Sequence, residues 1–411
     1  MSQYVNWFSR GFLNRTSWLR QDIDFLTRSA KSDQARYIIL DSACNPLVTA
    51  EGSGDIHMTV VTLTWDDVSS YYPSSEPIFV KDPEAGMATR PLIVFLGIDE
   101  RVQKSLPKAA DTGYTPDGKP YFVIDTSHHP ELAEKAMKIA GGDKKALFMD
   151  LRAELLCLDF DSTGVVAEAR ALVDWNKRNR FCAGCGRPTG SAWAGWKRGC
   201  LPDIQEQIAN GEEKPPCVSK KGVHNFAYPR TDPVVIMAVQ SHDKKKMLLG
   251  RQKVWPKGFF SCLAGFVEPG ESIEESVKRE VWEEAGVRVE HVQYHSSQPW
   301  PFPGSLMIGC LATAVPDAVI RTDLDNELET ADFYSYETVK AAVKKAGQTG
   351  LSRAEVAQIQ RASDTAEERE DKSKEEVSGT VNIKIPPKSA IAHTLIKAWV
   401  DQVEMEGAVH L

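Results

Sequence analysis

Glu280, Glu283 and Glu284 fall at i, i+3 and i+4, so in a helix their carboxylates crowd one side of the last turns. Like charges at that spacing repel, and a helix C-terminus disfavours anions further. A hard divalent cation reverses both penalties, because Mg2+ and Mn2+ prefer oxygen ligands. Such ions acidify a bound water and orient it for in-line attack on a phosphate. The bland alternative is a solvated acidic face. A second constellation is thiol-based. Cys182-Ala-Gly-Cys185 is a C-x2-C knuckle followed by Gly186, and Cys200 and Cys217 supply a second pair with 16 residues between them. Four thiolates suit a structural Zn2+ and leave no open catalytic position. The competing reading is a Cys182–Cys185 redox pair with two buried thiols.

These groups need elements to hold them. Ser272 and Glu275 form a capping box, so a helix begins there. Ile273, Val277, Val281 and Ala285 make its buried stripe, and Gly286 ends it in a left-handed conformation. Gly265, Gly270 and Glu271 precede the helix. The segment matches G-x5-E-x7-R-E-U-x-E-E-x-G-U at all nine fixed positions, which argues against a merely solvated face. Glu280 and Glu284 are the first-choice metal ligands, with Glu283 beside them, and Arg279 orients a glutamate. Downstream, Ser297-Gln298-Pro299-Trp300-Pro301-Phe302-Pro303-Gly304-Ser305 has prolines at alternate positions, which stiffen the backbone. The segment either presents Trp300 and Phe302 as platforms for a flat ring or is a turn whose aromatics belong to a core.

The chain has 411 residues, 42% apolar and 26% charged, enough for at least two cores. Its net charge of −8 argues against a general nucleic-acid coat protein. No run of 18 apolar residues occurs, which excludes a spanning helix and a membrane role, and the N-terminus lacks a secretory core. Strand-like runs at Tyr37–Leu40, Pro91–Asp99 and Tyr121–Asp125 flank an irregular stretch near 48–88, with helices expected at Leu151–Leu158 and Thr163–Lys177. Further strands are expected at Val234–Val239, Met247–Leu249 and Leu306–Thr313, with a closing helix at Ser389–Val403. Trp193 and Trp196 are expected to pack the core of the cysteine segment. Residues 362–380 read as a flexible insert. The expected division is 1–178, 179–228 and 229–411. The C-terminal Val409-His410-Leu411 resembles a peroxisomal address except at Val409, so the expected location is peroxisomal or cytoplasmic.

The nine-position pattern resembles the Nudix box. SQPWPFP-x-S after it, the C-x2-C ribbon, Tyr228-Pro229-Arg230 with Asp232-Pro233, and Leu13–Arg20 are similar to the NADH pyrophosphatase branch of that superfamily. The resemblance covers most of the chain. It implies an α+β architecture: a Nudix fold (a mixed β-sheet sandwiched between helices) with a zinc ribbon and a Nudix-like N-terminal domain. It implies a homodimer that splits NADH into reduced nicotinamide mononucleotide and AMP, using Mg2+ or Mn2+. Related members remove NAD caps from RNA, and ADP-ribose-type compounds are a further alternative. By motif match, Glu327 is a further metal-binding glutamate, Gln298 through Ser305 line the nucleotide pocket, and Tyr228 and Phe266 sandwich a ring. Ala264 and Ala392 fall at backbone contact positions. An inactive zinc-ribbon binding module is the reading of another class.

Overall fold

The computed structural model describes residues 5–51, 57–82, 90–102, 106, 116–142, 144–152, 154–201, 217, 219, 227–325, 327–346 and 383–409. Two compact units result. One comprises Arg10–Thr231 with Pro301–Gly304; the other comprises Asp232–Trp300, Ser305–Leu411 and the N-terminal stretch to Ser9.

The N-terminal unit runs α1 (Ile23–Ala30), β1 (Arg36–Leu40), β2 (Leu47–Glu51), β3 (His57–Val60), β4 (Thr62–Leu63), α2 (Trp65–Val68), β5 (Leu92–Asp99), β6 (Lys119–Asp125), α3 (Pro130–Gly141), β7 (Lys145–Phe148), α4 (Phe160–Arg178), β8 (Thr189–Ala192) and β9 (Lys197–Cys200). A mixed sheet of order β4-β1-β6-β5 carries the core, beside a β3-β2-β7 sheet and the β8–β9 hairpin. The stretch expected to be irregular thus holds β2, β3, β4 and α2. Its Ser- and Asp-rich composition concealed short strands, two of which pair outside the stretch: β2 with β7 and β4 with β1. The helix expected at Leu151–Leu158 is a turn followed by a single 3-10 turn, Leu155–Cys157. So short a segment gains little from helical hydrogen bonds alone. Asp159 instead caps the next helix, its carboxylate accepting from the Ser162 amide at 3.0 Å.

The C-terminal unit follows as β10 (Asp232–Gln240), β11 (Lys246–Gln252), β12 (Leu263–Phe266), α5 (Ile273–Ala285), β13 (Val289–Trp300), β14 (Ser305–Ala314), β15 (Leu328–Ser335), α6 (Tyr336–Ala346) and α7 (Ile391–Val409). Its mixed sheet is ordered β13-β14-β10-β11-β15, with β12 also paired to β10. The two-residue period of β10 divides its side chains between two cores. Val235, Met237 and Val239 face Val277, Val281 and Ala285 of α5. Ile236 and Ala238 face Val339 of α6 and Leu395 and Trp399 of α7. Helices therefore cover both sheet faces. The segment 362–380 and the residues His410 and Leu411 lie outside the described residues.

Asn6, near the start of the described residues, is pinned into this unit. Buried Asn6 donates to Ser296 Oγ at 3.1 Å and to the Ser297 carbonyl at 2.9 Å, and accepts from Thr394 at 3.0 Å. Close approach of α7 to β14 depends on Gly309. A Cβ there would lie 2.9 Å from Ile391 Cδ1 and 2.9 Å from the Ser296 carbonyl. Gly309→Ala is therefore expected to cost about 1–3 kcal/mol in urea unfolding, as overpacking does. An unchanged midpoint would show that the helix–sheet gap is slack.

Candidate active site

Local sequence builds the acidic helix. Ser272 Oγ accepts from the Glu275 amide at 3.2 Å while the Glu275 carboxylate accepts from the Ser272 amide at 2.8 Å. At the other end Gly286 adopts φ 66° and its amide donates to the Trp282 carbonyl at 2.8 Å. The buried stripe then leaves Glu280 and Glu284 facing inward beside β12.

Gly265 decides where Glu280 goes. A Cβ at that position would stand 2.0 Å from Glu280 Cδ and about as close to both carboxylate oxygens. The carboxylate thus occupies the space above a glycine in a paired strand. Arg279 holds it there, donating at 2.8 Å to Glu280 Oε1. The same guanidinium donates to both oxygens of Glu271 at 2.6 and 2.9 Å, to Glu283 at 2.9 Å and to the Phe266 carbonyl at 2.8 Å. Hydrogen bonds from Arg279 hold the Glu271 carboxyl down at about 2. Those from Glu271, with Glu280 and Glu283, push Arg279 above its ordinary value despite some burial. Arg279 is thus the planar hub that fixes three carboxylates and the β12 backbone. Lysine cannot reproduce such a fork. Arg279→Lys is expected to lower turnover about 10- to 100-fold, the usual effect of losing an outer support of a metal site. Wild-type turnover in that variant would remove Arg279 from the positioning role.

Glu284 is 2% exposed, and its Oε1 has no hydrogen-bond partner among the described residues. Burial pushes its carboxyl well above the usual range; Glu327, Glu280 and Asp325 add repulsion, and a backbone hydrogen bond from Ala264 opposes them. Burial also raises Glu280, with Glu283 and Glu327 adding to it and Arg279 opposing. Glu327, just before β15, accepts from Gln252 Nε2 at 2.7 Å. Burial and Asp325 raise its carboxyl as well. The cluster therefore holds more negative charge than Arg279 neutralises, all of it on oxygen, with one buried oxygen unpaired. That donor set fits hard divalent cations. Among the described residues, however, only the cysteines bring three or more candidate ligand atoms within 4.8 Å of one another.

The expected substrate residues separate. Phe266 is 61% exposed at the end of β12, next in sequence to Gly265. Gln298 is fully buried and its amide is used internally: Nε2 donates to the Ser389 carbonyl at 2.8 Å and the Trp7 carbonyl at 3.2 Å, and Oε1 accepts from the Ile391 amide at 2.7 Å. It caps α7 and ties down the N-terminal stretch. Ala392, 3% exposed, packs in the same core, while Ala264 is half-buried on β12. Pro299 and Trp300 are half-buried at the end of β13, where Trp300 meets Phe8 edge-on at 6.0 Å. Ser305 is buried at the start of β14. Pro301, Phe302, Pro303 and Gly304 belong to the N-terminal unit. There Phe302 is buried under the guanidiniums of Arg152 and Arg170, 4.4 and 5.0 Å from its ring centre. Tyr228 lies in the same unit, with its ring 5.7 Å from that of Trp193. No motif pointed to Gln252 or Asp325; Gln252 meets Glu327 because β11 pairs with β15, Gln252 opposite Leu328. Glu271 was visible as a fixed position of the pattern, without its role as the main partner of Arg279.

The cysteines converge. The sulfurs of Cys182, Cys185, Cys200 and Cys217 all lie within 4.8 Å of one another. Cys182–Cys217 and Cys185–Cys200 are separated by 3.7 and 3.5 Å. A tetrahedron with metal–sulfur bonds near 2.3 Å has edges of about 3.8 Å, so the spacing fits a four-thiolate metal site. Ser219 donates to Cys217 Sγ from its hydroxyl at 3.0 Å and its amide at 3.4 Å, favouring the thiolate. Trp196 does not stay in the cysteine segment. Its indole donates to the Phe95 carbonyl at 2.6 Å and its ring lies 3.3 Å under Arg20, anchoring the hairpin to β5.

Two family profiles match the chain: the NUDIX domain over residues 230–353, and the NADH pyrophosphatase-like rudimentary NUDIX domain over residues 74–175. Among similar proteins, the human NAD-capped RNA hydrolase NUDT12 is 36% identical over 406 residues, 96% of this chain and 73% of that protein. The NAD-capped RNA hydrolase of Schizosaccharomyces pombe is 37% identical over 342 residues, 81% and 84% of the two chains. The human mitochondrial NAD(P)H pyrophosphatase NUDT13 is 36% identical over 284 residues, 68% and 65%.

Proposed function

From its membership of the Nudix hydrolases, in the group where an NADH pyrophosphatase-like rudimentary Nudix domain precedes the Nudix domain, we propose that this chain is an NAD(H) diphosphatase. It adds water across the phosphoanhydride bond of NADH and releases reduced nicotinamide mononucleotide and AMP. The observation that carries the reading is the buried Glu284 carboxylate, repelled by Glu280, Glu327 and Asp325, with one oxygen unpaired among the described residues.

In this reading Glu280, Glu283, Glu284 and Glu327 hold Mg2+ or Mn2+. When bound, such ions neutralise the diphosphate and activate water. Arg279 keeps Glu280 and Glu283 aimed, Gln252 orients Glu327, and Gly265 leaves room for the Glu280 carboxylate. The exposed Phe266 ring offers a face to a base or nicotinamide. Gln298 and Ala392 act by holding α7 in place. For Tyr228, Pro299, Trp300, Pro301, Phe302, Pro303, Gly304 and Ser305, the nucleotide-pocket role rests on the motif alone. Incubation of the full chain with NADH and Mn2+ or Mg2+, followed by product analysis, is the test. Equimolar reduced mononucleotide and AMP are expected; intact NADH would overturn the assignment.

The names of the human and S. pombe relatives favour a second substrate, NAD-capped RNA. Rates on NADH and on a capped transcript at equal concentration rank the two. The three-part division at 1–178, 179–228 and 229–411 belongs to the same proposal, as do a homodimer and a peroxisomal or cytoplasmic location. No helix among the described residues is long and apolar enough to cross a membrane.

Zn2+ is the ion assigned to the four cysteines. Elemental analysis should find a single zinc per chain, lost in Cys200→Ala. Structural zinc supplies apparent binding energies on the order of 10 kcal/mol, so stripping it should unfold the hairpin region. A zinc-free protein with unchanged thermal unfolding would refute a structural role.

A further inference from the structure

The N-terminal unit contains a cavity of about 780 Å3 that none of the roles above uses. It lies among the end of β6, the last turn of α4 and the β8–β9 hairpin, and every lining residue belongs to that unit. Four cationic side chains, Arg90, Lys177, Arg180 and Arg198, line it against a single carboxylate, Asp125. On a chain of net charge −8 this is a local reversal of sign.

Lys177, Arg180 and Arg198 are placed by neutral groups or left exposed, and none of the three makes an ion pair among the described residues. Arg198 donates to Thr189 Oγ1 at 2.8 Å, to the Thr189 carbonyl at 2.6 Å and to Asn176 Oδ1 at 3.3 Å, all uncharged acceptors. Asn176 is itself locked, its amide donating to the Leu172 and Gly195 carbonyls at 2.9 Å. Burial lowers the Arg198 guanidinium to about 10, with repulsion from Arg180 adding to it. Arg180 is exposed and has no ion pair among the described residues. Lys177 donates to the Ser42 carbonyl and to Ser127 Oγ, both at 2.7 Å. The Ser127 hydroxyl in turn donates to Asp125 at 2.5 Å, so the carboxylate is spoken for by its own neighbour. Two guanidiniums that repel one another, one of them half-buried and held by neutral groups, are stabilised by an anion beside them.

The size and one further residue narrow the ligand. The volume falls within the range of small-molecule sites. Phe181, 68% exposed, also lines the cavity and sets an apolar ring beside the cations. A ligand carrying both a phosphate and a flat ring satisfies both features.

We propose that this cavity is a second, non-catalytic site that binds a nucleoside monophosphate, the phosphate on Arg180, Arg198 and Lys177 and the base against Phe181.

The test is calorimetric titration of the full chain, dialysed free of Mg2+ and Mn2+ without a chelator that strips zinc. Under those conditions the acidic cluster repels anions and contributes no binding. The probes are 5′-AMP, inorganic phosphate, adenosine and an uncapped single-stranded RNA. AMP is expected to bind more tightly than either phosphate or adenosine. Arg180→Gln, at an exposed position, should weaken AMP about tenfold or more, the value of a charge-assisted hydrogen bond, and Lys177→Gln with Arg180→Gln further. Phe181→Ser should bring AMP down to the affinity of phosphate. Thermal unfolding of each variant at the wild-type temperature shows that the loss is local. Absence of AMP binding at millimolar concentration, or affinity unchanged in the double variant, would overturn the proposal. Binding of RNA without binding of AMP would overturn it too, and assign the cavity to a strand. Failure of NADH hydrolysis would leave this result untouched, since no divalent ion is present.

Discussion

Glu284→Gln is expected to lower NADH turnover about a thousandfold and, in the same protein, to raise the stability of the metal-free fold. The first number is the scale seen when one preorganised charge-stabilising group is removed from a site. The second has a separate cause. Glu284 is almost fully buried, its Oε1 is unpaired among the described residues, and Glu280, Glu327 and Asp325 all repel its charge. A buried, unpaired charge opposes folding, whereas an amide of the same shape costs less. Glutamine should therefore add about 1–3 kcal/mol of stability without Mg2+ or Mn2+. Wild type should recover that difference when the ions are added, and the variant should not. Denaturant unfolding with and without Mn2+ separates the two effects. Equal stabilisation of both proteins by Mn2+ would place the ions elsewhere.

Gly265→Ala should show the opposite balance: a large loss of activity with little change in stability. The added Cβ would collide with the Glu280 carboxylate at 2.0 Å, so the side chain must leave its place over β12. Misplacement of a reacting group by about 1 Å costs on the order of 100-fold in rate. The stability cost should stay within about 1 kcal/mol, because the displaced atoms are the end of a flexible side chain and not backbone. A double-mutant cycle sharpens the point. If Gly265 acts only through Glu280, then Gly265→Ala adds nothing to the loss already caused by Glu280→Gln. Additive losses would mean that the glycine serves the substrate directly.

How much of this was legible beforehand follows from chain distance. The helix from Ile273 to Ala285, its capping box and its left-handed Gly286 involve residues three or four apart, and they form where the spacing placed them. Three of the six strands of the C-terminal sheet, β10, β11 and β14, were visible as apolar runs and lie within a few residues of where those runs placed them; β12, β13 and β15 were not visible. The strands between 47 and 63 were not visible either, because polar composition hid them and their sheets are completed from outside the stretch, by β7 beside β2 and by β1 beside β4. In the segment from Ser297 to Ser305, alternate prolines left two readings open, a presented aromatic platform or a turn whose aromatics belong to a core. Yet Phe302 lies under two guanidiniums from Arg152 and Arg170, residues whose nearness no local pattern announces.

By itself the sequence determined which side chains share a helix face, how that helix starts and stops, and that its glutamates call for cations. It also determined that four sulfurs are available to one ion. Only the tertiary structure decided which outside groups complete the cluster. Gln252 reaches Glu327 across 75 residues, and Asn6 reaches Ser296 across 290. It also decided that Gln298 is consumed in capping α7. The physical reason is that hydrogen-bonded turns and caps are set by neighbours in the chain, whereas strand order and helix docking are set by burying two faces of one sheet at once.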